Sequence, residues 1–172
     1  MNWLAALWQK VFPPRASAGV DLRRRLKGTR YPWEVIVDGD DLLVQDVRAT
    51  WFGGQADKDS GQDSGETSSG INTIESPGYL GCALPMDLHR SHDNPCAGSP
   101  LSELPWFMPV EVTNRANGRK ITVKAIDLGP SPPPKANAAL DLTRPAFLAL
   151  GGVLKTGAIR VDYRIKGGAR YV

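Results

Sequence analysis

The 172-residue chain has few of the side chains that most often bind metals or form nucleophile–base pairs: two cysteines and two histidines. With only Cys82 and Cys96, and no second pair, neither a structural zinc site nor any other metal is expected. The two cysteines admit two readings. A disulfide between them would close a loop of about a dozen residues and imply an oxidising compartment; otherwise they are two buried thiols. No apolar run is long enough to span a bilayer, so no transmembrane segment is expected. Neither sign of charge is in large excess. Lys and Arg number 21 against 18 Asp and Glu, a net of +3. The basic residues gather in DLRRRLKGTR (21–30) and the closing RIKGGARYV, without the dense, aromatic-interleaved basic face of a nucleic-acid binder. So mild an excess suits an anionic polymer such as a cell wall.

Turn formers are what the chain has in quantity, with 18 Gly and 14 Pro. They predict many turns and few long helices around a core supplied by a 41% hydrophobic fraction. Residues 1–30 read as a peripheral arm. In MNWLAALWQKVFPPRASAG the apolar core is too short for a secretory signal and no charge precedes it. Instead Trp3, Leu4, Leu7, Trp8 and Val11 share one helical face, stopped by Pro13-Pro14. Such an arm could dock on a protein partner or assembly, on a membrane surface, or on its own domain. Residues 31–172 read as one β-domain carrying two long loops, 53–78 and 87–104.

Within that domain, YPWEVIVDGDDLLVQDVRATWF predicts a hairpin turning at Asp38–Asp41. GGQADKDSGQDSGETSSG is polar and glycine-rich, a long exposed loop whose acidic residues lack the spacing of a calcium loop. MPVEVTN and RKITVKAID read as strands joined at Asn117-Gly118, the strongest short hairpin signal in the chain. TRPAFLALGG is a helix with Thr143 as N-cap, Pro145 in its first turn and Gly151 at its stop. GAIRVDYRI is a last strand, with Ile159, Val161 and Tyr163 on one face.

Two similar endings stand out, VKAIDLGP and NAALDLTRP. Each places a carboxylate, Asp127 or Asp141, at the end of an apolar stretch. A partly apolar setting favours the protonated form of such a group, which suits a general acid. Paired carboxylates are the usual equipment for breaking a glycosidic bond, and one acid suffices if the sugar's own hydroxyl attacks. The plainer readings are that Asp127 serves its own turn and that Asp141 orients the helix start behind it.

The succession ATWFGG, SSG, ALP, LPW, VEVTNRANGRKITVKAIDLGP, ALDLTRPAFLALG and GAIRVDYRI resembles the double-psi β-barrels of the rare lipoprotein A and expansin type. These barrels are related to the family 45 endoglucanases and to membrane-bound lytic transglycosylase A. The resemblance spans about residues 48–165 and is most specific from Val110 to Pro130. It implies a mainly β fold: a six-stranded double-psi barrel with one or two short helices and the N-terminal arm. It matches Asp127 to the catalytic acid of the lytic transglycosylases, and Asp141 to the aspartate that is general acid in the endoglucanases and needed by expansins. Thr50, Trp51 and Phe52 match the opening motif whose ring lines the sugar groove. Trp51 and Trp106 are candidate sugar platforms, each with core packing as the equal alternative, and Phe52 is expected as core packing.

The sequence also departs from these families. Leu101 stands near the family's histidine, leaving His89 and His92 upstream as candidate substitutes for binding substrate. Leu128 replaces the arginine after the aspartate. Gly53-Gly54 stands where the endoglucanases carry a second catalytic aspartate, with Asp57 and Asp59 nearby in the loop. A single-acid enzyme is therefore expected. It would be a lytic transglycosylase-like protein that cuts peptidoglycan strands through Asp127 with no cofactor, on the outer or envelope side of a cell or on a virion. The alternatives are an expansin-like barrel that binds glycan without cutting, and a structural barrel of a larger assembly such as a phage tail.

Overall fold

The computed structural model describes residues 33–59, 61, 64–85, 104–129 and 138–171. The arm over 1–30, the loop 87–104 apart from Leu104, with His89, His92 and Cys96, and the proline cluster Pro130–Pro134 lie outside the described residues.

Seven strands form one sheet: β1 (Ile36–Asp38), β2 (Asp41–Phe52), β3 (Gly81–Leu84), β4 (Pro109–Asn114), β5 (Lys120–Leu128), β6 (Leu140–Thr143) and β7 (Ile159–Ile165). Among the described residues two short helices accompany them, α1 (Gln55–Asp59) and α2 (Arg144–Ala149). The strand order is β1-β2-β6-β3-β5-β4-β7, and β2 also pairs with β7. That last pairing closes six strands into a barrel and leaves β1 hairpinned onto β2 through Gly39, as the DGDD turn predicts.

The connectivity divides into two like halves. β2 runs parallel to β6, β5 runs parallel to β3, and β3 and β6 meet antiparallel between them. Exchanging β2-β3-β4 for β5-β6-β7 reproduces every pairing among the six barrel strands, including the antiparallel β4–β5, β2–β7 and β4–β7 contacts. Two crossed parallel pairs within a closed six-stranded barrel make the double-psi arrangement that the resemblance implied.

Local sequence explains most of the elements. Along β4, Val110, Val112 and Asn114 are buried while their neighbours are half-exposed, the period-2 pattern of a one-sided strand. Gly118 supplies the left-handed turn residue of the β4–β5 hairpin, with φ 71°. The interior is filled by residues such as Leu42, Val44, Leu84, Leu142, Phe147 and Ile165. Burying each large side chain stabilises the fold by about 1.5–3 kcal/mol. Asn114 is a buried polar group in this core, but it is satisfied. Its amide donates to Leu150 O at 2.9 Å and its carbonyl accepts from Ala116 N at 2.9 Å. Asn117 donates to the same Leu150 O at 3.0 Å, so the hairpin pins the end of α2.

Two strands contain an extra residue, and each extra residue reverses which side chains face inward. In β2 the pairing with β7 shifts between Val44 and Val47, where Asp46 sits at φ 50°. Leu42 and Val44 face the core before the shift, and Val47, Ala49 and Trp51 after it. In β5 the pairing with β3 shifts so that Ala125 opposes Cys82 but Asp127 opposes Ala83. Val123 and Ala125 face the core, and simple alternation would send Asp127 in after them. The bulge at Ile126 turns Asp127 out instead, a common use of β-bulges beside functional sites.

Candidate functional site

The outer face of the four central strands carries one continuous row. Thr50 of β2 is in register with Asp141 of β6, Asp141 with Ala83 of β3, and Ala83 with Asp127 of β5. Their inward neighbours Ala49, Leu140, Leu142, Cys82 and Leu84 belong to the core. The two candidate carboxylates therefore lie two strands apart, about 10 Å between their Cα atoms, with only the Ala83 methyl between them. The exchange of halves maps Thr50 onto Asp127, so the row is symmetric in position but not in chemistry.

Asp127 is held by three donors on a single oxygen. Ser68 Oγ donates to Oδ1 at 2.6 Å, Ser68 N at 3.0 Å and Leu128 N at 2.9 Å. The SSG tripeptide thus has a physical task. Ser69 N also bonds Ile126 O at 3.0 Å, so this turn straps across the end of β5 beside the bulge. Oδ2 takes no hydrogen bond from the described residues. Asp141 is half-buried, with its Oδ1 shielded from solvent. Its charge reaches the thiol beneath it: burial pushes Cys82 well above the ordinary thiol range, and Asp141 pushes it further. Cys82 is a free thiol buried in β3; of the cysteine pair, it alone lies among the described residues.

One pleat along from the row lies a cleft of about 410 Å³, walled by Phe52, Tyr79, Pro77, Pro145, Leu148 and Arg144. Phe52 is in register with Thr143, and the Thr143 hydroxyl ties the cleft to the barrel. It donates to Tyr79 O at 2.7 Å and accepts from Gly81 N at 3.1 Å. Thr143 stands at the N-cap of α2 as expected, but its hydroxyl makes no capping bond because it is spent on this bridge. Gly81 has no room for a side chain: an added Cβ would lie 2.8 Å from Ile126 Cγ1.

The opening motif is placed differently from expectation. Trp51 turns inward, packs against the core and donates its indole N–H to Leu154 O at 3.3 Å. Phe52, expected as packing, faces out and walls the cleft. Gly53 and Gly54 both adopt left-handed φ, 83° and 88°. At Gly53 a Cβ would meet Thr73 Oγ1 at 2.8 Å, and Gly54 N donates to that oxygen at 3.1 Å. The loop expected to be exposed therefore packs on the barrel through some of its described residues, with Thr67 and Thr73 buried. Asp57 and Asp59 do not join the row. Asp57 accepts from Gly53 N at 2.8 Å, and Asp59 from Gln55 Nε2 at 2.7 Å.

Trp106 is also separate from the cleft. It borders a second depression, of about 460 Å³, with Phe107, Lys166, Arg170 and Tyr171. His89 and His92 fall outside the described residues. Ser68, Tyr79 and Arg144 were missed by sequence reasoning; the one available signal was the SSG in the resemblance. Among the described residues no group of three or more His, Cys, Asp or Glu is placed to hold a metal ion, and no helix is long and apolar enough to cross a membrane.

No protein-family model and no curated protein sequence matches the chain. Among solved structures it is similar to Streptomyces papain inhibitor, at 20% identity and a TM-score of 0.46, over 79% of this chain and 99% of that one.

Proposed function

We propose that the barrel acts on glycan strands, peptidoglycan first among them, and cuts them lytically through Asp127. The observation that carries this reading is the asymmetric hold on Asp127. Three donors fix Oδ1, and Oδ2 faces out from a row of side chains beside an aromatic-walled cleft. Sugar rings present apolar faces that stack on aromatic side chains, and Phe52 and Tyr79 supply such faces.

The protonated Oδ2 gives its proton to the glycosidic oxygen as the bond from that oxygen to C1 breaks. The sugar left behind carries oxocarbenium character at C1. Asp127, now an anion, takes the proton of that sugar's 6-hydroxyl as O6 attacks C1. The proton returns to the carboxyl, and the product ends in a 1,6-anhydro ring with no water consumed. Asp141 lies about 10 Å along the row, where it holds a hydroxyl of a neighbouring sugar. A second carboxylate at this spacing is also compatible with an inverting hydrolase, which needs room for water between its acid and base.

Mass spectrometry of soluble products from purified peptidoglycan tests the reading. Anhydro-sugar ends are expected. Reducing ends would replace the lytic step by hydrolysis, with Asp141 as base. Protein that pellets with the wall without releasing products would leave an expansin-like binder. With neither products nor pelleting, the barrel would be a scaffold.

A further inference from the structure

The depression beside Trp106 is built around a strained residue. Phe107 has φ 66°, in the left-handed region. Its N–H donates to Ala125 O at 2.7 Å, while Ala125 N donates to Met108 O at 3.0 Å. Phe107 and Met108 thus oppose the single residue Ala125, in a bulge whose left-handed position is ordinarily a glycine. A bulky side chain there is an outlier. The core does not use its ring: Met108 goes inward and Phe107 is 43% exposed. Tyr171 lines the same depression and is also exposed. Arg170 lies over its ring, 5.9 Å from the centroid, and donates Nε–H to Gly167 O at 3.0 Å. Backbone strain of this kind persists mainly where a ligand is clamped. Here it holds an aromatic face out to solvent.

The place of this face says what it would hold. In the sheet order β5 stands between β3, which leads to the row and the cleft, and β4, which leads out of the depression. Phe107 sits opposite Ala125, two residues before Asp127 on the neighbouring strand, so their Cα atoms are about 8 Å apart. A chain of sugars that crosses the row and passes Asp127 therefore meets Phe107 next. The cations of the depression are already engaged. Lys166 meets Asp41 at 2.6 Å, and Arg170 is spent on Gly167 and Tyr171. Such a surface suits an uncharged ring. We infer that the depression is a sugar subsite on the β4 flank of Asp127, taking a neutral pyranose ring against Phe107 and Tyr171. The inference rests on the glycan reading and extends it: Phe107 is a specificity residue that favours strands continuing past Asp127 on this side.

The test is an NMR titration of the intact chain with the β-1,4-linked hexamer of N-acetylglucosamine. Resonances of Phe107 and Tyr171 should shift. Phe107→Gly should weaken hexamer binding about fivefold, the size expected for one lost ring contact. Phe107→Tyr, which keeps the ring, should retain the affinity. The unfolding midpoint of Phe107→Gly should not fall, because glycine is at ease in the left-handed region. That separates a ring held for a ligand from one held for the fold, and a clear loss of stability would overturn the inference. Unchanged hexamer affinity in Phe107→Gly would overturn it too, as would shifts at Phe52 and Tyr79 with none at Phe107 and Tyr171. In that last case sugar still binds the cleft, and the glycan reading stands without this subsite. If the hexamer does not bind at all the subsite is likewise refuted, and product release from peptidoglycan decides the glycan reading separately.

Discussion

The outer surface of the barrel handles its carboxylates in two ways. Across β7, β4 and the first part of β2, they meet arginine and lysine. Asp162 takes Arg115 Nη1 on both oxygens, at 2.8 and 3.1 Å. Asp46 meets Arg115 and Arg160 at 3.3 and 2.7 Å, and Asp41 meets Lys166 and Arg164 at 2.6 and 3.3 Å. Across β5, Asp127 meets only neutral donors among the described residues, and only on one oxygen. A cationic partner, whether on both oxygens as at Asp162 or on one as at Asp46 and Asp41, commits a carboxylate to being an anion. Neutral donors on one oxygen fix its direction and leave the other open. The first arrangement is a way to build a surface, and the second a way to present a reagent.

The sharpest break in this comparison comes from removing one carboxylate from each side. Asp127→Asn keeps an acceptor for Ser68 and Leu128, so its unfolding midpoint should be unchanged, while release of glycan products should fall at least about 10²-fold. Asp162→Ala should do the opposite. It removes the acceptor for Asp46 N (2.7 Å) and for Arg115, at a cost of about 1 kcal/mol in urea unfolding, with product release unaffected. An Asp127→Asn variant with full activity would sink the proposed role.

Ser68→Ala gives a smaller effect that tests orientation. It removes the 2.6 Å hydroxyl bond but leaves the Ser68 and Leu128 amides in place. Turnover should drop about tenfold with KM little changed, the response to misaiming a group that acts in the transition state. Ser68→Thr, which keeps the hydroxyl, should recover most of the rate.

The smallest effect is on acid stability. The hydrogen bond from Lys166 holds the Asp41 carboxyl below the ordinary range. Gly167 N and Arg164 add to this, and partial burial opposes it. A carboxyl whose folded pKa is depressed contributes fully above its unfolded value, and that contribution is lost as pH falls toward the folded value. Chemical denaturation should therefore show stability declining below about pH 4. Asp41→Asn should flatten part of that decline and be less stable than the parent at pH 7.

Legibility in the sequence follows the range of the physics. The β4–β5 hairpin, the β7 pattern and the Gly151 helix stop (φ 82°) are written in a few neighbouring residues, and the structure carries all three. The facing of the site residues is not local in this way. Nothing in LLVQDVRATWF marks the extra residue at Gln45–Asp46, although it decides that Trp51 goes in and Phe52 goes out. Asp127 was legible as a strand-end carboxylate; Asp141 was legible as a carboxylate after an apolar stretch, but it lies inside β6 rather than at its end, and the common row of the two depends on pairings between strands far apart in sequence. Ser68 and Arg144 were illegible for the same reason: their surroundings come from other segments.

The bulge at Ile126 has a consequence for how this surface can change over time. Loss of Ile126 would leave Asp127 directly after Ala125 and still facing out, because plain alternation also turns the residue after an inward one outward. What the loss would take away is the strap: Ile126 O accepts from Ser69 N, and its buried side chain fills the space beside Gly81. A barrel could in this way keep its shape and its outward carboxylate while giving up the turn that aims it. Substitution scanning leaves the residue count untouched, so a survey of point variants would pass over that change.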